Sequence, residues 1–265
     1  MQNKYTLGVI GAGNMAYAIV GGIINGGILK PSDIAISDID AQKLESFAKL
    51  GVYTQTDNVS LSANCENLLF AVKPQIAQTV FNEIESSVTA NTVISIMAGI
   101  TLSKLKAALG NRNYARIMPN TPALVGKGMS AIAFSENFYS DFVMNIFRSV
   151  GEAIQLDESR FDAVTSLSGS GPAYVYTFIK ALIDGGMSGG LDFETSEQLA
   201  LQTVLGAVEM IKTSDKPINE LIDAVCSKGG TTIQAIDSFR EDGLENIIKN
   251  GMKKCLNRSV ELSKE

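Results

Sequence analysis

A glycine-rich segment near the start of the sequence has the residue types of a phosphate-binding turn. Residues 11–16 read GAGNMA and lie between a short apolar run and a stretch with helical apolar spacing. In that position Gly11 permits a tight turn, Gly13 lets the backbone approach a pyrophosphate, and the start of the helix offers free N–H groups to phosphates. The segment therefore predicts a dinucleotide site, and a turn of purely structural use is the alternative.

The next strand-like run ends at Ser37 and Asp38, where the adenosine ribose of such a nucleotide would lie. Asp38 would favour NADH, because its carboxylate can accept a hydrogen bond from the ribose 2′-OH and repels a 2′-phosphate. A preference for NADPH is also possible, because the 2′-phosphate could be held by Ser37, nearby backbone amides and Lys43. The sequence therefore leaves the choice between NADH and NADPH open.

A second glycine-containing segment lies in the C-terminal half, where residues 227–232 read SKGGTT and immediately precede a helix-like stretch. Its unpaired amides and the positive end of the helix dipole would converge at one point. The segment predicts a site for a small carboxylate, and an ordinary capping loop is the alternative.

A third segment, LSGSGPAY at residues 167–174, also starts a helix, with Pro172 near its first turn. Its glycines serve either close packing against a nicotinamide or only the turn itself. The sequence does not distinguish the two.

The composition limits the chemistry that these segments can support. None of the 265 residues is histidine, which excludes Ser-His-Asp and Cys-His schemes and every metal site that needs imidazole. Cys65, Cys226 and Cys255 are far apart and lack C-x-x-C spacing, so neither a disulfide framework nor a zinc site is predicted. A reducing cytoplasm fits this composition best.

Charge and hydropathy exclude two classes of partner. The net charge is -6 and the basic residues are scattered, so we expect no nucleic-acid partner. Residues 5–29 carry no charge, but seven glycines interrupt them and no cleavage pattern follows. We therefore expect neither a membrane span nor a secretory signal.

The elements that must position these segments alternate through the first half. Helix-like stretches at residues 14–24, 41–50, 75–85 and 102–109 separate strand-like runs at residues 5–10, 34–37, 68–72, 93–97 and 114–118, with two further runs at 129–134 and 152–156. This alternation predicts right-handed βαβ crossovers and a mostly parallel sheet covered on both faces.

The pattern changes at about Glu158, after which only helix-like stretches occur, at residues 173–184, 193–212, 218–225, 232–240 and 244–262. We therefore predict one domain at residues 1–157 and a second, helical domain at residues 158–265. Apolar residues on several faces, as at 200–210, indicate burial against a partner chain, and a thick monomeric bundle is the alternative.

Four motifs connect the whole chain to a known family. Together with the GAGNMA segment, they are AVKP at residues 71–74, RIMPNTP at 116–122, LSGSGPAY at 167–174 and SKGGTT at 227–232. In order and spacing, the sequence resembles the Δ1-pyrroline-5-carboxylate reductase family over essentially its full length. It departs from that family at Lys228, where proline is usual. This difference affects the expected rigidity of the loop at residues 227–232 but not its expected role.

The resemblance implies an α/β fold, with an N-terminal Rossmann-type doubly wound sheet followed by an all-α dimerisation domain. It implies a homodimer or a larger assembly of dimers, and reduction of 1-pyrroline-5-carboxylate to L-proline by NADPH or NADH, the last step of proline biosynthesis. The cofactor-binding residues that it implies are Gly11, Ala12, Gly13, Asn14, Met15, Ser37, Asn58, Val72, Lys73 and Ala98. The substrate-binding residues are Glu158, Ser227, Gly230, Thr231 and Thr232.

Reduction of an imine suits a chain without histidine, because a cyclic iminium already carries its proton and needs no strong acid. Catalysis is then mainly positioning. We expect Thr232 to orient the ring nitrogen as the catalytic residue and Glu158 to supply negative potential that favours the iminium. Lys73 is expected to contact phosphate or ribose, with a solvated lysine as the alternative.

Two other functions are compatible with this domain order. The β-hydroxyacid dehydrogenases also carry a glycine-serine-glycine loop, but they need a lysine four positions after its second glycine, and Val175 stands there. The other possible function is a nicotinamide sensor that catalyses no reaction. The segment at residues 227–232 argues against it, because a sensor needs no carboxylate site.

Overall fold

The computed structural model describes residues 4–264 and has one eight-stranded sheet in the order β3-β2-β1-β4-β5-β6-β7-β8. The strands are β1 (Tyr5–Ile10), β2 (Ile34–Ser37), β3 (Tyr53–Gln55), β4 (Cys65–Phe70), β5 (Thr92–Ser95), β6 (Asn113–Met118), β7 (Gly128–Phe134) and β8 (Gly151–Gln155). All neighbouring strands pair in parallel except β6 and β7, which are antiparallel. The chain order reverses beside β1, and ligands of doubly wound sheets bind at the carboxyl ends of the strands at such a point.

Helices cover both faces of this sheet. They are α1 (Asn14–Asn25), α2 (Ala41–Ala48), α3 (Asn58–Ser62), α4 (Ala77–Ile84), α5 (Leu102–Leu109) and α6 (Asp141–Arg148). Successive strand residues enter two different apolar clusters. Ile94 belongs to the cluster that contains buried residues of α1, α2 and α6, whereas Val93 belongs to the one that contains buried residues of α3, α4 and α5. The doubly wound α/β class predicted from the alternation is therefore confirmed.

Side-chain caps fix where most of these helices begin. Asp40, Asp57, Thr101 and Ser140 each accept a hydrogen bond from a backbone N–H in the first turn of α2, α3, α5 and α6 respectively. Such caps stabilise a helix by about 1 kcal/mol each, because they satisfy amides that have no partner within the helix. The start of α1, at Gly13, has no side-chain cap.

The chain after β8 is helical. It comprises α7 (Phe161–Val164), a π-helical segment (Thr165–Gly169), α8 (Gly171–Ser188), α9 (Phe193–Thr213), α10 (Ile218–Val225), α11 (Thr231–Glu241) and α12 (Leu244–Lys264). None of the helices in residues 4–264 is long and apolar enough to cross a membrane.

The chain divides into two compact units. The first contains the sheet, the residues up to Ser170 and the end of α12 from Cys255; the second is Gly171–Lys254. The end of α12 is tied to α7, where Ser259 Oγ donates a hydrogen bond of 2.7 Å to Asp162 Oδ1. These two units are defined by which residues pack together. The functional boundary between residues 157 and 158 stays a prediction.

Strand β3 and helices α3, α6 and α7 of the first unit were not predicted from the sequence. Strand β3 has three residues and helix α3 has five, which is too few for a hydrophobic period to be visible. Helix α6 carried a readable signal, since Ser140 precedes it and its buried residues Val143, Met144, Ile146 and Phe147 have helical spacing. The strand expected at residues 68–72 runs instead over Cys65–Phe70, so Ala71 and Val72 lie beyond its end.

Candidate functional site

The turn between β1 and α1 is closed by contacts that require glycine at position 11. Gly11 has a φ of +103°, and its N–H donates a hydrogen bond of 2.8 Å to the carbonyl of Ser37 at the end of β2. A Cβ atom at Gly11 would lie 2.7 Å from the carbonyl oxygen of Ala71, just after β4. The ends of β1, β2 and β4 therefore meet at this turn, as the GAGNMA segment predicts.

The start of α1 is open. Gly13 is the N-cap residue, no side chain caps this end, and the first turn contains no acidic residue. A Cβ atom built at Gly13 meets no other atom within 4 Å. The first amides of α1 and the exposed residues Gly13 and Asn14 therefore offer a site that a pyrophosphate fits.

Asp38 lies beside this turn and is held by two backbone amides. Its Oδ2 accepts a hydrogen bond of 2.7 Å from the Ala12 N–H, and its Oδ1 accepts one of 2.9 Å from the Asp40 N–H. The side chain is 13% exposed. A carboxylate is thus fixed at the place where the adenosine ribose of a dinucleotide is expected.

A chain of hydrogen bonds, buried at Ser37 and Asn58, supports the end of β2. Ser37 Oγ donates to Asn58 Oδ1 at 2.7 Å, and Asn58 Nδ2 donates to Glu83 Oε2 at 2.9 Å. Ser37 and Asn58 are both buried. The structure therefore brings Gly11, Ser37 and Asn58 together, three residues that the sequence resemblance assigns to the cofactor.

The AVKP segment lies at the carboxyl end of β4, beside a cavity of about 760 Å³. Pro74, Ala98, Lys104 and Leu262 are among the residues that line this cavity. Val72 is half-buried, whereas Lys73 and Ala98 are exposed. The three cofactor positions in this region thus lie at the same edge of the sheet as the glycine turn, and their contacts with a cofactor stay a prediction.

Glu158 joins three elements of the first unit. Its Oε1 accepts a hydrogen bond of 2.8 Å from the Leu102 N–H at the start of α5 and one of 2.9 Å from Arg116 Nη1 on β6. The Arg116 side chain is 7% exposed, and its guanidinium lies 4.8 Å from the centre of the Phe161 ring. Glu158 is therefore a positioning group in this unit, and its expected role toward the substrate stays a prediction.

Arg116 and Asn120 both belong to the RIMPNTP motif, although neither was assigned a role from the sequence. Asn120 Oδ1 accepts a hydrogen bond of 2.8 Å from the Met129 N–H, and its Nδ2 donates to the carbonyl of Ser168 at 3.2 Å. Their residue types gave a usable signal, because a guanidinium and an amide in or just after a buried strand need hydrogen-bond partners. These contacts fix the chain between β8 and α8.

The glycine at position 169 packs inside the first unit. A Cβ atom there would lie 2.4 Å from Cε of Met118, the flexible end of a side chain. Gly169 also ends the π-helical segment. This contact is packing within the chain. The two uses proposed for these glycines, packing against a nicotinamide or the turn itself, therefore both stay predictions.

The SKGGTT segment lies in the second unit and forms an uncapped helix start. Gly229 has a φ of +74°, and the Gly230 N–H donates a hydrogen bond of 3.0 Å to the carbonyl of Ser227. Helix α11 begins at Thr231 with Gly230 as its N-cap residue, without a side-chain cap or an acidic residue in the first turn. The hydroxyl-bearing residues Ser227, Thr231 and Thr232 are exposed. Amides and hydroxyls therefore converge on one turn that fits a small carboxylate.

The chain is similar to characterised families along its length. Residues 158–262 match the family model described as pyrroline-5-carboxylate reductase dimerisation, and residues 6–99 match the one described as NADP oxidoreductase coenzyme F420-dependent. The pyrroline-5-carboxylate reductase of Methanosarcina acetivorans is 40% identical, and that of Escherichia coli K12 is 38% identical; each match covers 100% of both chains.

Two solved structures have the same fold over the whole chain. The pyrroline carboxylate reductase of Plasmodium falciparum, with NADP bound, has a TM-score of 0.89 at 33% identity and covers 99% of this chain and 100% of its own. The pyrroline-5-carboxylate reductase of Coxiella burnetii also has a TM-score of 0.89, at 34% identity, with the same coverage.

Proposed function

Because this chain belongs to the pyrroline-5-carboxylate reductase family, we propose that it reduces the C=N bond of 1-pyrroline-5-carboxylate to form L-proline, the last step of proline biosynthesis. The observation that carries this proposal is the match to relatives of that name over the entire chain. The reductant is NADPH or NADH. We also place the functional boundary at residues 157 and 158, where the match to the dimerisation family begins.

The residues of the first unit fit a nicotinamide dinucleotide. The uncapped start of α1 receives the pyrophosphate, and the open space at Gly13 lets the phosphates approach the backbone. Ala12, Asn14 and Met15 contribute the neighbouring positions of the turn. Ser37, Asn58, Val72, Lys73 and Ala98 complete the set of proposed contacts. When bound, the reduced nicotinamide supplies a hydride.

The residues of the SKGGTT segment hold the substrate. The amides at the start of α11, together with the Ser227 hydroxyl, bind the carboxylate, because the helix dipole and free N–H groups favour an anion there. Gly230 and Thr231 contribute to the same turn. Thr232, in the first turn of α11, orients the ring nitrogen through its hydroxyl.

The chemical demand on the protein is small, because the iminium form of the substrate already carries its proton. Orientation of the reacting carbon toward the nicotinamide can supply several kcal/mol, about 7 to 11 in well-oriented intramolecular reactions. Glu158 adds negative potential that favours the iminium. No imidazole is required, in keeping with a chain that has none.

The assay that tests this function uses purified protein and follows the loss of nicotinamide absorbance on addition of 1-pyrroline-5-carboxylate, with NADH and NADPH in parallel. We expect turnover and formation of proline. Tight binding of the cofactor without substrate-dependent oxidation would instead identify a sensor and reject the proposal.

A pair of threonine variants tests the role of Thr232. Thr232→Ala should lower kcat by about 10-fold or more, the loss of one hydrogen bond of about 1.4 kcal/mol in the transition state, with little change in cofactor affinity. Thr213→Ala is the matched control, since Thr213 ends α9 and its hydroxyl bonds the carbonyl of Glu209. Equal kinetics for the two variants would remove the role assigned to Thr232.

The match to a dimerisation family supports a homo-oligomer. We propose a homodimer or a larger assembly of dimers in the cytoplasm, with a small-molecule substrate and no nucleic-acid partner. Three free cysteines and a net charge of -6 favour that environment and disfavour a nucleic-acid backbone as ligand.

A further inference from the structure

We propose that this chain binds NADH in preference to NADPH, because the groups at the end of β2 that could hold a 2′-phosphate are engaged within the protein, and the residues there carry excess negative charge. The inference rests on the proposed function only in using the nucleotide site at the β1–α1 turn. It concerns Asp38, Ile39 and the start of α2, whose contacts bear on the choice between NADH and NADPH that the sequence leaves open.

Asp38 is fixed as an acceptor. Its two oxygens accept backbone hydrogen bonds from Ala12 at 2.7 Å and from Asp40 at 2.9 Å, so the side chain cannot turn away without breaking both. Each carboxylate oxygen has a second lone pair and can accept a further hydrogen bond from a ribose hydroxyl. A 2′-phosphate would bring a second negative charge to the same place, which is unfavourable.

The serine before Asp38 does not compensate for that charge. Ser37 is fully buried, and its hydroxyl donates to Asn58 Oδ1 at 2.7 Å. Asn58 is in turn bound to the carboxylate of Glu83. A hydroxyl has one proton to donate, so a phosphate would have to break this buried bond to use it.

The start of α2 also carries negative charge. Asp40 caps it by accepting a hydrogen bond of 3.0 Å from the Gln42 N–H. Lys43, the cation in the first turn, has its Nζ 3.6 Å from Asp40 Oδ2 and 3.9 Å from Asp38 Oδ1. One lysine between two aspartates leaves this patch with one excess negative charge.

Ile39 occupies the position from which a cationic side chain could best bind the 2′-phosphate. It follows Asp38 directly and is 85% exposed. Enzymes that accept the 2′-phosphate place an arginine near this point, because a guanidinium binds phosphate with two parallel hydrogen bonds. Isoleucine offers only apolar surface.

The test is an equilibrium titration of the full-length protein with NADH and NADPH, read by nucleotide fluorescence in the absence of substrate. We expect NADH to bind at least about tenfold more tightly, about 1.4 kcal/mol. Asp38→Asn should reduce this ratio, since it removes the charge. Asp33→Asn is the matched control, because Asp33 lies at the other end of β2 and should leave the ratio unchanged.

A second variant introduces the missing cation. Ile39→Arg replaces an exposed side chain, does not disturb packing, and should raise the affinity for NADPH by about tenfold or more. Equal affinities of the unmodified protein for both cofactors, or tighter binding of NADPH, would overturn the inference while pyrroline-dependent turnover still supports the proposed function. Failure to bind either cofactor would overturn both.

Discussion

The two compact units differ in where their apolar side chains lie. In the first unit, two clusters fill the two faces of the sheet, and large residues such as Phe47, Phe70 and Phe147 are almost completely buried. In residues 171–254, all of which the structure describes, the buried side chains are Ile183, Ser196 and Ala200. Many large apolar residues of that unit are exposed, among them Leu201, Leu205 and Val208 on α9.

This difference shows that the two units are stabilised in different ways. A doubly wound sheet buries both of its faces under helices of its own chain. Helices with large exposed apolar surface need a further surface to cover them, since such patches favour association in water. A second copy of the chain fits this need, because residues 158–262 match a dimerisation family.

The largest effect that distinguishes the units is the cost of truncating a phenylalanine. Phe147→Ala, in the core of the first unit, should lower the free energy of unfolding by about 3–5 kcal/mol at every protein concentration. Phe178→Ala, on the exposed surface of α8, should lower it by an amount that depends on concentration. Denaturant unfolding at two protein concentrations measures both, and the same dependence for both variants would contradict the comparison.

A charge on α9 tests whether the exposed surface is an interface. Leu205 is 55% exposed, and Leu205→Glu should weaken the dimer by about 100-fold, or about 2.7 kcal/mol, because a carboxylate would be buried on association. Light scattering at micromolar concentration measures the change. The control is Lys49→Glu, an exposed position in the first unit, which should leave the mass unchanged. A stable monomer of the unmodified protein would remove the dimer from the proposal.

Glu158→Gln separates the structural role of this carboxylate from its proposed effect on the substrate. The variant keeps an oxygen for the Leu102 N–H but loses the charge beside Arg116, so the free energy of unfolding should fall by about 1–2 kcal/mol. If the charge also favours the iminium, kcat/KM should fall at the same time. A loss of stability with unchanged kcat/KM would leave Glu158 a positioning residue only.

The smallest expected effect is a loss of folding stability at alkaline pH, which originates in the first unit. Burial raises the pKa of the Cys65 thiol to about 12 from its ordinary value of 9.0. The folded state therefore keeps a proton that the unfolded state loses, and stability is full below pH 9 and lost as pH rises toward 12. Between pH 9 and 10 the loss is about 1 kcal/mol.

Two cysteine variants test this assignment by denaturant unfolding across that pH range. Cys65→Ala should flatten the dependence, whereas Cys226→Ala, in the second unit and not fully buried, should leave it unchanged. An identical slope for both variants would show that another group controls it.

Much of the fold was readable from the sequence because its signals are local. The turn at Gly11, the helices with clear apolar spacing and the change of pattern near Glu158 each depend on neighbours in the chain. The family assignment also followed from short motifs, and the similarity of the whole chain to named reductases confirms it. The short elements β3 and α3 were missed, because three or five residues carry too little pattern.

The sequence by itself determined the class of the fold and the types of residue at both ligand-binding segments, since glycine turns and helix starts are set by residues close in the chain. Only the tertiary structure decided what the charged groups contact. Asp38 meets the Ala12 amide 26 residues away, and Glu158 meets Arg116 42 residues away. Such pairs form because strand order and helix packing bring distant segments together, and no local pattern records which partner a side chain will find.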